Sequence, residues 1–283
     1  NFFWHRWLNA TNINDKNIML ASGDDGTLIR STDFGTTWDK IFIGLHDRIV
    51  SMNSVDNKVF IVTQFGTLFL SEDSGSSWTR VTNLPTKNID AIEFFDKNIG
   101  WIVGKDNTLF FTENAGKNWS KLSVKVKIKL AAVKAVDKNQ LILFAENGEF
   151  SKTTDQGKTW KSSRIDKISR LNKVIFSADK NRIWGVADDG FVVSSDNLGG
   201  TWNGQHTDAR VNLFSITHLN DTIYVAGADG HIFSSDSNNS KMKWITETSN
   251  SKQDIHALLT LKKEKKLYAF GSSGTVLFKK LDQ

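Results

Sequence analysis

The side chains in this sequence with the means to act on a substrate are mostly carboxylates, and they recur. One set stands in short turns, at Asp24-Asp25, Asp106, Glu146, Asp188-Asp189 and Asp229. Two such carboxylates facing each other would suit general acid and base work. Asp-Gly and Asp-Asp-Gly are also ordinary hairpin-turn residues, and that reading is the stronger. A second set lies in a Ser/Thr-x-Asp-x-Gly-x-x-Trp pattern, complete at Asp33, Asp73 and Asp155. Asn114 takes the acid's place in another copy, and looser copies surround Asp196 and Asp236. The six histidines show neither HxH nor HxxxH spacing, which points away from a local metal site. Cysteine is absent, so disulfides and thiolate ligands are excluded. The only tyrosines, Tyr224 and Tyr268, fall inside apolar runs rather than in loops. We expect no catalytic residue, no metal and no cofactor.

The elements that carry these residues follow from their spacing. The tryptophans of the six copies, Trp38, Trp78, Trp119, Trp160, Trp202 and Trp244, are separated by 40, 41, 41, 42 and 42 residues. Such a period marks one supersecondary unit built repeatedly, each burying its apolar faces against its neighbours. Upstream of each copy lies a turn led by glycine, as at Gly26, Gly66 and Gly190, or by Asn107 in the third, and a seventh occurs at Gly274. Runs rich in β-branched and aromatic residues, such as Val59–Val62 and Ile223–Ala226, precede those turns. About 40 residues hold four short strands and their turns, with no room for a helix. The expected fold is all-β, a single seven-bladed β-propeller domain over residues 1–283. The last copy reaches Gln283 without a fourth strand, so the seventh blade is expected to be three-stranded or closed by a stub around Phe2 to Trp4, with native residues upstream of Asn1.

Within the pattern every position has a structural task. The Asp carboxylate accepts from turn amides that the strand ladder leaves unpaired, and the Ser or Thr hydroxyl adds another turn bond. Glycine supplies a positive φ, and the indole fills space between sheets. The pattern resembles the Asp-box, or BNR repeat, of sialidases, the sortilin ectodomain, some xyloglucanases and the photosystem II assembly factors of the Ycf48/Hcf136 group. Sialidases carry an Arg-Ile-Pro segment, whereas the sole proline here is Pro85. Xyloglucanases use two propellers, and this chain is long enough for one. The seven even repeats resemble the Ycf48/Hcf136-like proteins most. That resemblance implies a non-catalytic scaffold that assists another, often membrane, protein from the periplasmic, lumenal or secreted side, its leader removed. A carbohydrate-binding or sialidase-like propeller is the alternative.

Cationic residues recur near the start of the inner strands, at Arg6, Arg48, Lys87, Lys127 with Lys129, Arg170 and Arg210, with His256 in the last blade. On the face opposite the boxes they would ring one channel mouth and focus a positive potential on an anionic partner, such as an acidic segment. The net charge of +5 reads as spread along the whole chain. It is too small to imply nucleic acid, and the run Lys121, Lys125, Lys127, Lys129 lacks the interleaved aromatic residues that stacking on bases requires. No apolar run approaches the roughly 20 residues that span a bilayer. A monomer with a protein partner is expected.

Overall fold

The computed structural model describes residues 6–13, 17–44, 46–82, 84, 86, 89–104, 108–123, 130–177, 179–238 and 241–281. It is a seven-bladed β-propeller made of consecutive antiparallel sheets. The first sheet holds β1 (Trp7–Asn12), β2 (Met19–Gly23), β3 (Leu28–Ser31) and β4 (Asp39–Ile41). The second holds β5 (Ile49–Val55), β6 (Lys58–Thr63), β7 (Leu68–Ser71) and β8 (Thr79–Arg80). The third holds β9 (Ile89–Phe94), β10 (Gly100–Gly104), β11 (Thr108–Thr112) and β12 (Ser120–Leu122). The fourth holds β13 (Leu130–Ala135), β14 (Leu141–Ala145), β15 (Glu149–Thr153) and β16 (Lys161–Arg164). The fifth holds β17 (Leu171–Phe176), β18 (Ile183–Ala187), β19 (Phe191–Ser195) and β20 (Asn203–His206). The sixth holds β21 (Leu213–Leu219), β22 (Thr222–Gly227), β23 (Ile232–Asp236) and β24 (Ile245–Glu247). The seventh has three strands, β25 (Ile255–Leu261), β26 (Lys266–Gly271) and β27 (Val276–Lys280), as one branch of the sequence expectation had it. The other branch, the stub at Phe2 to Trp4, lies outside the described residues.

Two compact units divide the chain. One comprises Leu8–Ala145 and Glu149–Ser163, the other Asn1–Trp7, Glu146–Gly148 and Arg164–Gln283. The period of two along each second strand explains how each unit coheres. In β6, Val59 and Ile61 enter a core shared with Leu20, Leu28 and Ile49, whereas Phe60 and Val62 enter another with Ile92, Phe94 and Ile102. In β22, Ile223 and Val225 pack with Trp184 and Val186, whereas Tyr224 and Ala226 pack with Leu258 and Leu267. A second strand is therefore buried on both faces, which is why it reads as a continuous apolar run. Among the described residues no helix is long and apolar enough to cross a membrane.

Candidate functional site

The boxes lie in the turns between third and fourth strands. In the first, the Ser31 hydroxyl accepts from Gly35 N–H at 2.8 Å and donates to Asp33 Oδ1 at 2.8 Å. Asp33 also accepts from Thr37 N–H and from its hydroxyl, and Trp38 Nε1 donates to Gly35 O at 3.1 Å. The turn runs through two left-handed residues, Phe34 and Gly35, the second of which favours glycine. Asp73 and Asp155 repeat this network with Ser77 and Thr159, and Trp78 and Trp160 repeat the indole bond. Asn114 accepts from Asn118 N–H at 2.9 Å through its amide oxygen, so the loss of charge leaves the turn intact; Trp119 follows at the box position.

The two looser boxes depart from their sequence reading, the fifth by a shift of one residue and the sixth by forming no box network. In the fifth it is Asn197, not Asp196, that accepts from the Ser195 hydroxyl and from Thr201 N–H, at 3.0 and 2.8 Å. Ser195-Asn197-Gly199-Trp202 is thus a box of normal length. Asp196 turns outward to Arg182 Nε at 2.5 Å, and the same guanidinium donates to Ser237 O at 2.6 Å. In the sixth, Ser235 stands opposite Ile223 just as Ser195 stands opposite Ile183. Its buried hydroxyl has no partner and no box network forms on it. Ser234 instead donates to Glu247 Oε1 at 2.5 Å, and Asp236 accepts from Asn238 N–H. Trp244 remains a core residue, with Trp184 and Phe233.

Hydrogen bonds from the side chain and then the backbone N–H of Thr37, Ser77 and Thr159 lower the carboxyls of Asp33, Asp73 and Asp155 from 3.8 to about 2. A depressed folded-state pKa contributes stability above the unfolded value that is lost as pH falls through the folded one. Urea midpoints should therefore drop between about pH 4 and pH 2. The triple variant Asp33→Asn, Asp73→Asn, Asp155→Asn should show a shallower drop, because Asn114 and Asn197 already hold their turns without charge. Parallel pH profiles for the two proteins would remove the boxes as the cause.

The cationic positions lie at the opposite strand ends. In the first unit Arg48 precedes β5, and its Nε meets Asp24 Oδ1 at 2.6 Å. In the second unit Arg170 precedes β17 and its guanidinium lies 3.6 Å from Glu146 Oε1. Arg210 precedes β21, 3.0 Å from Asp189 Oδ2 and within 3.0 Å of both ring nitrogens of His206. Each arginine thus meets an acid from the turn between second and third strands of the preceding blade. Asp24, Glu146 and Asp189 on one side and Arg48, Arg170 and Arg210 on the other, separate features in the sequence, form three inter-blade pairs. Side-chain exposures of 43, 55 and 61% for Arg48, Arg170 and Arg210 leave the guanidiniums accessible to a further acceptor.

Counting back from turn acids misplaces two of these positions. Arg48 O, Arg170 O, Asn212 O and Asp254 O each accept from a turn N–H, of Gln64, Asp188, Ala228 and Ser272 respectively, and are therefore structurally equivalent. The last two blades place an amide and an acid there. Arg210 stands two residues earlier, although the connection from the box tryptophan has the same length as in the other blades: Trp202 to Asn212, like Trp38 to Arg48 and Trp160 to Arg170, is 10 residues. His256 is inside β25, stacked on Phe214 at 5.0 Å with Nε2 3.1 Å from Ser272 Oγ. Arg6 lies just before β1 and is half-buried. Lys87, Lys127 and Lys129 are outside the described residues.

Sequence reasoning also missed a polar triad on inner strands of the first unit. Lys134 Nζ lies 3.3 Å from both Glu93 oxygens, and Asn53 Nδ2 donates to Glu93 Oε2 at 3.2 Å. An acid, a lysine and an amide on three successive inner strands show no motif in sequence, since they are about 40 residues apart. Tyr224 and Tyr268 are buried in second strands. Burial, and after it the charge of Glu247, raises the Tyr224 hydroxyl above its ordinary pKa, opposite to what an activated nucleophile requires. Among the described residues no three His, Asp or Glu side chains converge as a metal site.

Comparison with known proteins gives one family. The family described as photosynthesis system II assembly factor YCF48 matches residues 56–280. No curated protein matches the chain. Among solved structures, YCF48 bound to D1 peptide is 17% identical with a TM-score of 0.79, over 99% of this chain and 93% of the other. YCF48 from Cyanidioschyzon merolae is 16% identical with a TM-score of 0.78, over 99% and 96%. The Myceliophteria thermophila Cps50 (Swd1) β-propeller domain is 9% identical with a TM-score of 0.78, over 98% of both. At these identities the likeness is one of fold.

Proposed function

We infer, because this chain belongs to the photosynthesis system II assembly factor YCF48 family, that it is a non-catalytic scaffold that binds an acidic segment of a protein during assembly of a membrane complex. The reading extends to its place of action, the periplasmic, lumenal or secreted side of that membrane. Binding uses the strand ends opposite the boxes. The supporting observation is that Arg48, Arg170 and Arg210 are half-exposed and each touches its turn acid through a single guanidinium nitrogen. An arriving carboxylate takes the remaining N–H donors in the paired geometry that arginine favours. The turn acids fix each arginine's direction. A relative in the same family was solved with a D1 peptide, which supports a peptide as the bound species.

The test is a fluorescence anisotropy titration of the full chain with D1 peptide at low and high salt. Binding should weaken with salt, and the combined Arg48→Ala, Arg170→Ala, Arg210→Ala variant should lose about tenfold or more in affinity, as expected when charge-assisted contacts are removed. Unchanged affinity in that variant would remove the site from these strand ends. Absence of binding by the unaltered chain would exclude D1 peptide as its ligand.

A further inference from the structure

Among the described residues of the first unit, the large apolar side chains that stand exposed are Phe42, Val50 and Phe65, the last at 66%. All lie at the strand ends opposite the boxes: Phe42 follows β4, Val50 is the second residue of β5, and Phe65 is in the turn between β6 and β7. Val50 and Phe65 are tied to Arg48. Val50 stands two residues after it, set out of the ladder by a bulge between Ile49 and Ser51. Phe65 follows Gln64, whose N–H donates to Arg48 O at 2.9 Å. A half-exposed guanidinium and two exposed apolar side chains thus share one end of the second sheet.

The turn itself does not require that ring. The residue before the turn glycine is Asp25, Asn147, Asp189, Asp229 or Ser273 in other copies, polar types that suit a turn tip. Phe65 exposes apolar area there without serving the turn, and grouped apolar side chains on a surface mark an interaction site where single ones do not. The charge around Arg48 decides what such a group is for. Asp24 and Asp25 stand in the turn that Arg48 reaches, and Asp47 precedes it. Three carboxylates around one guanidinium give no net long-range attraction for an acidic segment. The directed hydrogen bonds of the guanidinium act only at contact, so an apolar contact beside it is what retains a segment there.

We propose that Val50 and Phe65 seat a large apolar side chain of the same segment whose carboxylate meets Arg48. The partner is then a segment with a single acid and an aromatic or branched aliphatic residue about two positions away, the spacing that puts both side chains on one face of an extended chain. A run of acids does not fit, because Asp25 and Asp47 stand beside the one guanidinium available to it. This rests on the reading of the arginine strand ends given above and adds to it the composition of the partner.

The probes are a pair of glycine- and serine-based peptides of about ten residues, each with one glutamate, followed about two positions later by phenylalanine in one and by serine in the other. Each is titrated against the isotopically labelled full chain, with amide shifts read at Val50, Gln64 and Phe65. The phenylalanine peptide should shift those amides and bind about tenfold more tightly than the serine peptide. Phe65→Ser should erase that preference and Val50→Ser reduce it, with the core untouched because both side chains are on the surface. Arg48→Ala should weaken both peptides, and added salt should weaken both while leaving the preference, since apolar contact is not screened. Equal binding of the two peptides, with Arg48→Ala weakening both, would overturn the apolar seat and leave the arginine reading standing. A phenylalanine preference that survives Phe65→Ser would also overturn the seat. Binding indifferent to Arg48→Ala would remove Arg48 from the arginine reading, and the segment proposed here with it. Failure of both peptides to bind would overturn the proposal as well. Self-association of the unaltered chain, lost in Phe65→Ser by sedimentation, would reassign the seat to a second copy of this chain.

Discussion

Replacing Phe94 by alanine should destabilise the chain by about 3–5 kcal/mol, the loss typical of a buried aromatic ring truncated in a core that does not collapse around the gap. Phe94 ends β9 and lies between the second and third sheets, its ring stacked on Phe60 at 4.4 Å and 10° and meeting Trp119 edge-on at 6.3 Å and 73°. The space for it exists because Gly100 faces it across the ladder, where a Cβ would come within 2.6 Å of the ring. Neither neighbour refills the gap. Phe60 is held by the ladder on both sides of β6, and Gly100 has nothing to extend. The Phe94 N–H donates to Asn53 Oδ1 of the adjacent sheet, so the backbone there is anchored and does not sink inward. Phe94→Leu should lose less, because it keeps most of the volume. Chemical denaturation followed by tryptophan fluorescence measures both. A loss under about 1 kcal/mol for the alanine variant would show that the sheets close up, contrary to the fixed registers.

How far the sequence could be read depended on which property a position had to satisfy. Strand positions were legible because β6 and β22 need apolar side chains on both faces, a demand that few residue types meet. Box register was legible at Asp33, Asp73 and Asp155 but not in the fifth and sixth copies. Asp196 and Asn197 are adjacent, and the turn accepts either side chain, since it uses an oxygen acceptor and not a charge. Ser194 and Ser195 duplicate the hydroxyl in the same way. The spacing to Trp202 was the discriminating signal: Ser195, Asn197, Gly199 and Trp202 have the same intervals as Ser31, Asp33, Gly35 and Trp38.

The candidate site was legible as parts. Asp24, Glu146 and Asp189 were seen as turn acids and Arg48, Arg170 and Arg210 as a cationic series, yet each pair joins residues about 20 apart in different blades, and no local rule links them. Pairing also alters the electrostatics. An arginine beside a carboxylate offers direction and hydrogen-bond donors rather than bare charge, so selectivity for a well-placed acceptor replaces the broad positive field that unpaired cations would produce. A further concentration of like charge is the lysine corner of the last blade, Lys262, Lys263, Lys265, Lys266, Lys279 and Lys280, where Lys279 meets Glu247. Its six lysines passed as unremarkable in sequence because β25–β26 hairpin residues and the end of β27 are separated along the chain and joined only by the ladder.

Gly230→Ala should cost about 2–5 kcal/mol, from two separable causes. Gly230 has φ +73, and a side chain in the left-handed region costs about 1–2 kcal/mol. A Cβ there would also lie 2.0 Å from Ser251 O and 2.7 Å from Ser251 C, backbone atoms of the connection that enters the last blade, and such overpacking adds about 1–3 kcal/mol. Gly44 isolates the first cause, since its φ is +69 but a Cβ meets nothing within 4 Å. Gly44→Ala should therefore cost only the conformational part, about 1–2 kcal/mol, and the difference between the variants measures the steric part. The consequence of the larger change is local as well as global. Pushing the Ser251 backbone away displaces Asp254, whose carboxylate accepts from Asp229 N–H at 3.0 Å and whose carbonyl accepts from Ser272 N–H at 2.9 Å. Amide exchange at Asp229 and Ser272 should rise in Gly230→Ala and stay unchanged in Gly44→Ala. Equal destabilisation by the two substitutions would show that the connection moves aside freely and that the close approach at Gly230 carries no energy.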